Sequence, residues 1–227
     1  MRTRILALVG GLAVVLPCLA GLEAVSNQDA VNGLREALVK GTQYAVDTLG
    51  RQDGFFGNGK VKIPLPPSLQ KAEKVLHTLG LGKQADALVL TMNRAAEAAV
   101  PEARALLVDS VKKMSVQDAK GILTGGQDSA TQYFKRSTSE QLRARFLPIV
   151  KKATAKVQLA QKYDEYAGKG VKLGLVKKED ANLDAYVTQK ALDGLFTMVA
   201  EEEAKIRQNP AGAASGLLTK VFGALKH

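Results

Sequence analysis

At 227 residues and 46% hydrophobic, the chain is long enough for one domain with a sizeable core and too apolar to be disordered. It carries 32 Lys and Arg against 22 Asp and Glu, a formal net charge of +10, with one cysteine, no tryptophan and 5% aromatic residues. A single cysteine excludes an internal disulfide framework, the scarcity of aromatics calls for an aliphatic, alanine-rich core, and the positive balance favours anionic partners.

The N-terminus has the pattern of a secretory signal. Arg2 and Arg4 supply the positive region, Ile5 to Leu16 the apolar run, and Cys18-Leu19-Ala20 the residues before a cut after Ala20, with a second cut site after Ala24. The expectation is a signal peptide over 1–20 and a mature chain, 21–227, exported to the periplasm. Pro17 precedes Cys18 where a lipoprotein needs a small residue, so soluble export is favoured over a lipid anchor. The competing reading is an uncleaved N-terminal membrane anchor. Cleavage after Ala20 would remove the cysteine and two arginines, leaving 30 bases against 22 acids. Beyond this segment no run reaches the roughly 18 apolar residues of a membrane-spanning helix.

Ser26 to Asp29 resembles a capping box, and Val31, Leu34, Leu38, Ala45 and Leu49 share one face of a helix expected over 27–49, closed by Gly50. Arg51 to Pro67 is a long Pro/Gly-rich loop, expected as an ordered strap that plugs Phe55, Phe56, Ile63 and Leu65 into the bundle. Lys60 to Ile63 alternates like a short strand without an obvious partner. A short helix is expected over 68–79.

The segment from Gln84 to Val108 is rich in Ala and Leu, contains no glycine, and is the strongest helix former in the mature chain. Ala85, Leu88, Met92, Ala95, Ala96 and Ala99 lie on one face, while Asn93, Arg94 and Glu97 gather on the other with Leu90 among them. A leucine in that position predicts a central helix touched by protein on both faces. Pro101 starts a following helix to Met114. Ser115 to Asp118 repeats the capping pattern for a short helix to Leu123, and Thr124-Gly125-Gly126 turns into a helix carrying Ala130, Tyr133 and Phe134. Thr138 to Glu140 opens another helix, kinked at Pro148 and running to Gly168. A Gly/Lys-rich connection leads to Asn182, which starts a long helix to about Gln208, and 216–225 forms a helical tail. The predicted fold is an all-α, single-domain bundle of about eight or nine helices.

The segments Asp53–Phe56, Val61–Pro66, Met92–Glu97, Ala130–Phe134, Phe146–Thr154 and Tyr186–Phe196, in this order, resemble the bacterial domain-of-unknown-function family DUF4197 over roughly 26–223. The resemblance implies an all-helical exported domain and no particular activity.

The candidate sites are polar residues in apolar surroundings. On the last long helix Glu202 projects into the apolar arc, between the directions of Ala191 and Leu195. A carboxylate there needs a partner. Arg94 is the expected one, with Asn93 and Glu97 nearby, as a register-fixing ion pair or a ligand site; the competing reading is that the helix end frays and Glu202 reaches water. Gly125 and Gly126 precede a helix N-terminus, which suits an anion, although a Gly-Gly pair between helices is first of all a turn. Residues 135–178 hold twelve Lys/Arg against three acids, a block that attracts anionic lipid headgroups or nucleic acid when it is not simply solvated. Export argues against nucleic acid. The chain has only His77 and His227, no zinc-ligand spacing and no cofactor motif, so no catalytic residue, metal or cofactor is assigned. The leading functional expectation is a non-catalytic binding or interaction module of the cell envelope, for an apolar or lipid-like ligand or an envelope protein. The alternative is a hydrolase of envelope polymers using Glu97 or Glu202.

Overall fold

The structure, a computed structural model, describes residues 27–67, 69–70, 82–157, 160, 163 and 182–209. The signal segment, His77, the helix expected over 68–79 beyond its start, the Gly/Lys-rich connection and the C-terminal tail lie outside them, and at that helix's start Pro67, Leu69 and Gln70 are helical. Among the described residues there are six α-helices with described bounds, further helical residues at Pro67, Leu69, Gln70, Ala160 and Tyr163, one 3-10 turn and no strand. The chain is therefore all-helical there, and the total of eight or nine helices stays an expectation.

Helix α1 (Asn27–Gly50) buries Val31, Leu34, Leu38, Ala45, Val46 and Leu49, the three- and four-residue spacing expected of it. Helix α2 (Gly82–Ala99) is amphipathic in its first half and mostly buried in its second, where from Met92 onward only Arg94 and Ala98 reach solvent. Met92, Asn93, Ala95, Ala96, Glu97 and Ala99 are all buried. Val100 to Glu102 forms the 3-10 turn, with Pro101 where no amide donor is required, and leads into α3 (Ala103–Lys113). Leu90, expected against protein, is instead an exposed hydrophobic. What covers the polar face of α2 lies one turn further on, at Asn93 and Glu97.

Helix α4 (Val116–Thr124) opens with the predicted capping box. The Ser115 hydroxyl accepts from the Asp118 amide at 3.1 Å, and the Asp118 carboxylate accepts from the Ser115 amide at 3.0 Å. The Ser115 hydroxyl and amide hold the Asp118 carboxyl below the ordinary carboxylate range. A depressed carboxyl pKa contributes stability that is present at neutral pH and lost as acid protonates the group. Ser115→Ala is expected to cost about 1 kcal/mol at neutral pH, and less in acid, by urea denaturation at several pH values.

Two helices expected on either side of Thr138 are one helix, α5 (Ser129–Thr154). Thr138 does not cap. It is buried, and its hydroxyl donates to the Phe134 carbonyl one turn back at 2.6 Å, a bond that lets Thr sit inside a helix. The helix passes through Pro148 and stops at Thr154, short of the expected Gly168, where a turn over 155–157 follows. Helix α6 (Leu183–Gln208) starts where predicted, with the Asn182 side chain accepting from the Ala185 amide at 2.7 Å.

Helices α2, α5 and α6 pack on one another around the core, and α1 closes over α6 and α3. The strap over 51–67 crosses this assembly and threads Phe55 against α6. At Gly194 an added Cβ would stand 2.5 Å from Phe55 Cε1 and 3.1 Å from its Cζ. Gly194→Ala sets overpacking of about 1–3 kcal/mol against a helix-propensity gain of about 0.8–1.0 kcal/mol. The expected result is a net loss of stability, read as a lower urea midpoint.

Candidate functional site

The strap runs through turns over 51–57 and 59–61 and is extended after them, so its side chains alternate from Val61 to Leu65. Val61, Ile63 and Leu65 point into the core and are buried, while Lys62 and Pro64 are exposed. An extended segment without a partner strand leaves buried backbone groups unpaired, which is costly. Helix α2 supplies the partner. The Asn93 carboxamide accepts from the Ile63 amide at 2.8 Å and donates to the Ile63 carbonyl at 2.9 Å, as a neighbouring strand would.

One turn along the same face, Glu97 does the corresponding work for the start of the strap. Its Oε1 accepts from the amides of Phe55 and Phe56, both at 3.1 Å. Its Oε2 accepts from Arg94 Nη1 at 2.6 Å, and Arg94 Nη2 reaches Asp53 Oδ1 at 2.8 Å. These bonds, Glu97 first and Asp53 second, raise the Arg94 pKa further. Asp53 takes the left-handed backbone conformation, φ 63°, a region that Asp tolerates better than most residues. The turn it makes brings Gly54 against helix α1, where an added Cβ would lie 2.4 Å from the Leu49 carbonyl oxygen. Phe56 is left half-buried, with Lys62 Nζ 4.3 Å and Arg94 Cζ 5.7 Å from its ring centre.

A second buried carboxylate has a parallel role. Glu203 on α6 accepts from the amides of Ala130 at 2.9 Å and Thr131 at 2.8 Å, and from the Thr131 hydroxyl at 2.8 Å. The amides are among the free donors of the first turn of α5, where helix geometry favours a negative charge. Arg207 closes the junction. It donates to Glu203 at 2.7 Å, to the Ile122 carbonyl at 2.9 Å and to the Ser129 hydroxyl at 2.8 Å. The ends of α4, α5 and α6 are thus joined by one ion pair.

Asn93, Arg94 and Glu97 therefore come together, but Glu202 does not join them. The expected Arg94–Glu202 pair does not form. Arg94 is committed to Glu97 and Asp53, and Glu202 pairs with Lys205 at 2.6 Å. That bond raises the Lys205 pKa. Glu202 packs beside Gly41 of α1 and lets its carboxylate out at the rim of a groove of about 400 Å³ between α1 and α6. The carboxylate enclosed by the core is its neighbour, Glu203. Glu203 lies within about 40° of Leu192, Phe196 and Val199 around the helix, and Arg207 follows it at i+4, a pairing that could have marked it. Gly125 and Gly126 form the turn before α5. At Gly125 an added Cβ would lie 2.5 Å from the Gly121 carbonyl oxygen. The anion at this helix start is the chain's own Glu203.

Two larger grooves flank the strap. One, of about 670 Å³, is lined by Phe56, Lys62, Leu65, Asp86 and Val89, and the other, of about 650 Å³, by Pro67, Arg143, Tyr186, Gln189 and Lys190. They share Pro64 and Gln70. Among the described residues no cluster of His, Cys, Asp and Glu could hold a metal ion, and no helix is long and apolar enough to cross a membrane.

The sequence profile of the family described as "Protein of unknown function (DUF4197)" matches residues 24–223, which include the strap, its latch on α2 and the Glu203 junction. The chain belongs to this family. No curated protein and no solved structure matches the DUF4197 chain significantly.

Proposed function

We propose that this DUF4197 protein is an exported, non-catalytic binding module of the cell envelope that takes an anionic, lipid-like amphiphile against its strap. The observation that carries the reading is the strap itself. Two buried polar side chains, Asn93 and Glu97, pin it to α2 while Phe56, Lys62 and Pro64 remain accessible beside grooves of ligand size. Each groove sets an apolar wall beside charges of both signs. Phe56, Leu65 and Val89 accompany Lys62 and Asp86 on one side, and Pro67, Ala185 and Tyr186 accompany Arg143, Lys190 and Asp193 on the other, where the cations outnumber the acid. Such a surface suits a molecule with an apolar body and a negative head. Glu97, the carboxylate first considered for hydrolysis, is held by two amides and an arginine.

The test is a titration of the mature chain, 21–227, with a fluorescent long-chain carboxylate. Phe56→Ala and Lys62→Glu are each expected to weaken binding at least tenfold with unchanged circular dichroism, whereas Tyr44→Ala, in the α1–α6 groove, leaves it unchanged. No binding, or equal binding by Lys62→Glu, contradicts the reading. Export is tested separately, by fractionating cells that express the full chain and weighing the product. A periplasmic protein beginning at Gly21 or Val25 is expected, and an intact chain in the membrane fraction would contradict it.

A further inference from the structure

The charge of the protein is segregated. Residues 129–156, which are α5 and the turn after it, hold seven Lys and Arg and one acid, Glu140. All other described residues together hold fourteen bases and fifteen acids. The excess positive charge of the described structure therefore sits on one helix.

The placement of these bases follows from packing. Phe134, Thr138, Leu142, Phe146, Val150 and Thr154 are buried at every fourth position and tie α5 to the core. The exposed side winds with that stripe, and at about 100° per residue Arg136, Arg143 and Lys151 lie within about 40° of Leu147, as does the exposed acid Glu140, while Lys135 and Lys152 point well away from it. Arg145 stands on the far flank, 3.8 Å from Glu102, and Arg143 donates to Gln189. From Arg136 to Lys151 the surface is about 22 Å long at about 1.5 Å per residue. In its middle stands Leu147, 40% exposed, one turn from Arg143 and one turn from Lys151, with exposed Ala144 and Pro148 beside it.

We infer that the exposed face of α5 is a docking surface for an anionic phospholipid bilayer. Lysines and arginines held near a negative lipid surface each add to binding, and a leucine among them can enter the headgroup layer. Two features favour lipid over nucleic acid: the apolar patch at the centre of the cations, and the absence of an exposed aromatic ring on this helix for bases to stack on. The inference stands independently of ligand binding at the strap. Arg143 links the two, since it lies on the flank of the docking face and lines the second strap groove.

The test is sedimentation of the mature chain with vesicles of phosphatidylcholine alone, and of phosphatidylcholine with one-third phosphatidylglycerol, at physiological salt. Binding to the anionic vesicles only is expected, and it should fall with added salt as the charges are screened. The triple variant Arg136→Glu, Arg143→Glu, Lys151→Glu should lose at least tenfold in binding with unchanged circular dichroism. The corresponding triple glutamine variant serves if charge reversal prevents folding. Leu147→Ser, which keeps every charge, should lose several-fold. Phe56→Ala and Lys62→Glu should bind vesicles normally, so failure at the strap and failure at α5 are read separately. Equal binding to neutral vesicles, full binding by the triple variants, or a Leu147→Ser protein that binds normally while duplex DNA competes with the vesicles, would overturn the inference.

Discussion

Glu203→Ala is expected to destabilise the protein by about 3–5 kcal/mol, the range for removing one partner of a buried ion pair. The substitution strips the Ala130 and Thr131 amides and the Thr131 hydroxyl of their acceptor. It also leaves Arg207, whose side chain is 15% exposed, facing the core without its carboxylate. Arg207 keeps the Ile122 carbonyl and the Ser129 hydroxyl, so the junction loosens without coming apart. For a chain of this size each kcal/mol moves the thermal midpoint by about 2–4 °C, so a fall of roughly 6 to 20 °C is expected. Glu202→Ala is the matched control. The Glu202 side chain is 14% exposed, but its Lys205 partner is 60% exposed and among the described residues no backbone amide depends on the carboxylate, so the loss should be about 1 kcal/mol. Equal effects of the two substitutions would contradict the placement of Glu203.

Glu97→Ala is expected to cost about 3 kcal/mol, mostly from two backbone amides left without an acceptor at about 1–3 kcal/mol each. Arg94 softens the loss, because it is 34% exposed and retains Asp53. Glu97→Gln keeps an acceptor for the amides and should cost less than the alanine. The variant should also release the strap locally. Phe55 and Phe56 would exchange their amide hydrogens faster, while amides in the middle of α5 keep their protection relative to global stability. Global denaturation curves and site-resolved exchange, measured together, separate these two effects.

The long amphipathic elements were legible because packing acts on them at regular spacing. Helix α1 has its apolar residues three and four apart, and α6 has a cap at Asn182 and a stop at Asn209. Helix α5 was harder for a physical reason. Its buried residues recur at every fourth position, so the contact stripe drifts by about 40° at each step and winds around the helix. A fixed-face reading sees two weak helices there, and Thr138 resembles a cap because only its surroundings reveal that its hydroxyl bonds backward. The candidate site was half legible. Asn93 and Glu97 stood out as polar groups one turn apart in an alanine-rich helix, and their burial is real. Their partners are backbone groups of a strap 30 to 42 residues earlier, and backbone groups carry no sequence signature. Glu203 was missed in favour of Glu202 because a wide apolar arc leaves adjacent positions nearly indistinguishable until the opposing helix N-terminus is in place.

The account turns on the latch between α2 and the strap, and amide hydrogen exchange at Phe55, Phe56 and Ile63 tests it most directly. The latched strap predicts that all three amides exchange slowly in the wild-type chain, and that Asn93→Ala selectively exposes Ile63 while Glu97→Ala selectively exposes Phe55 and Phe56. Rapid exchange of these amides in the wild-type protein, at the rate of an unprotected loop, would contradict it.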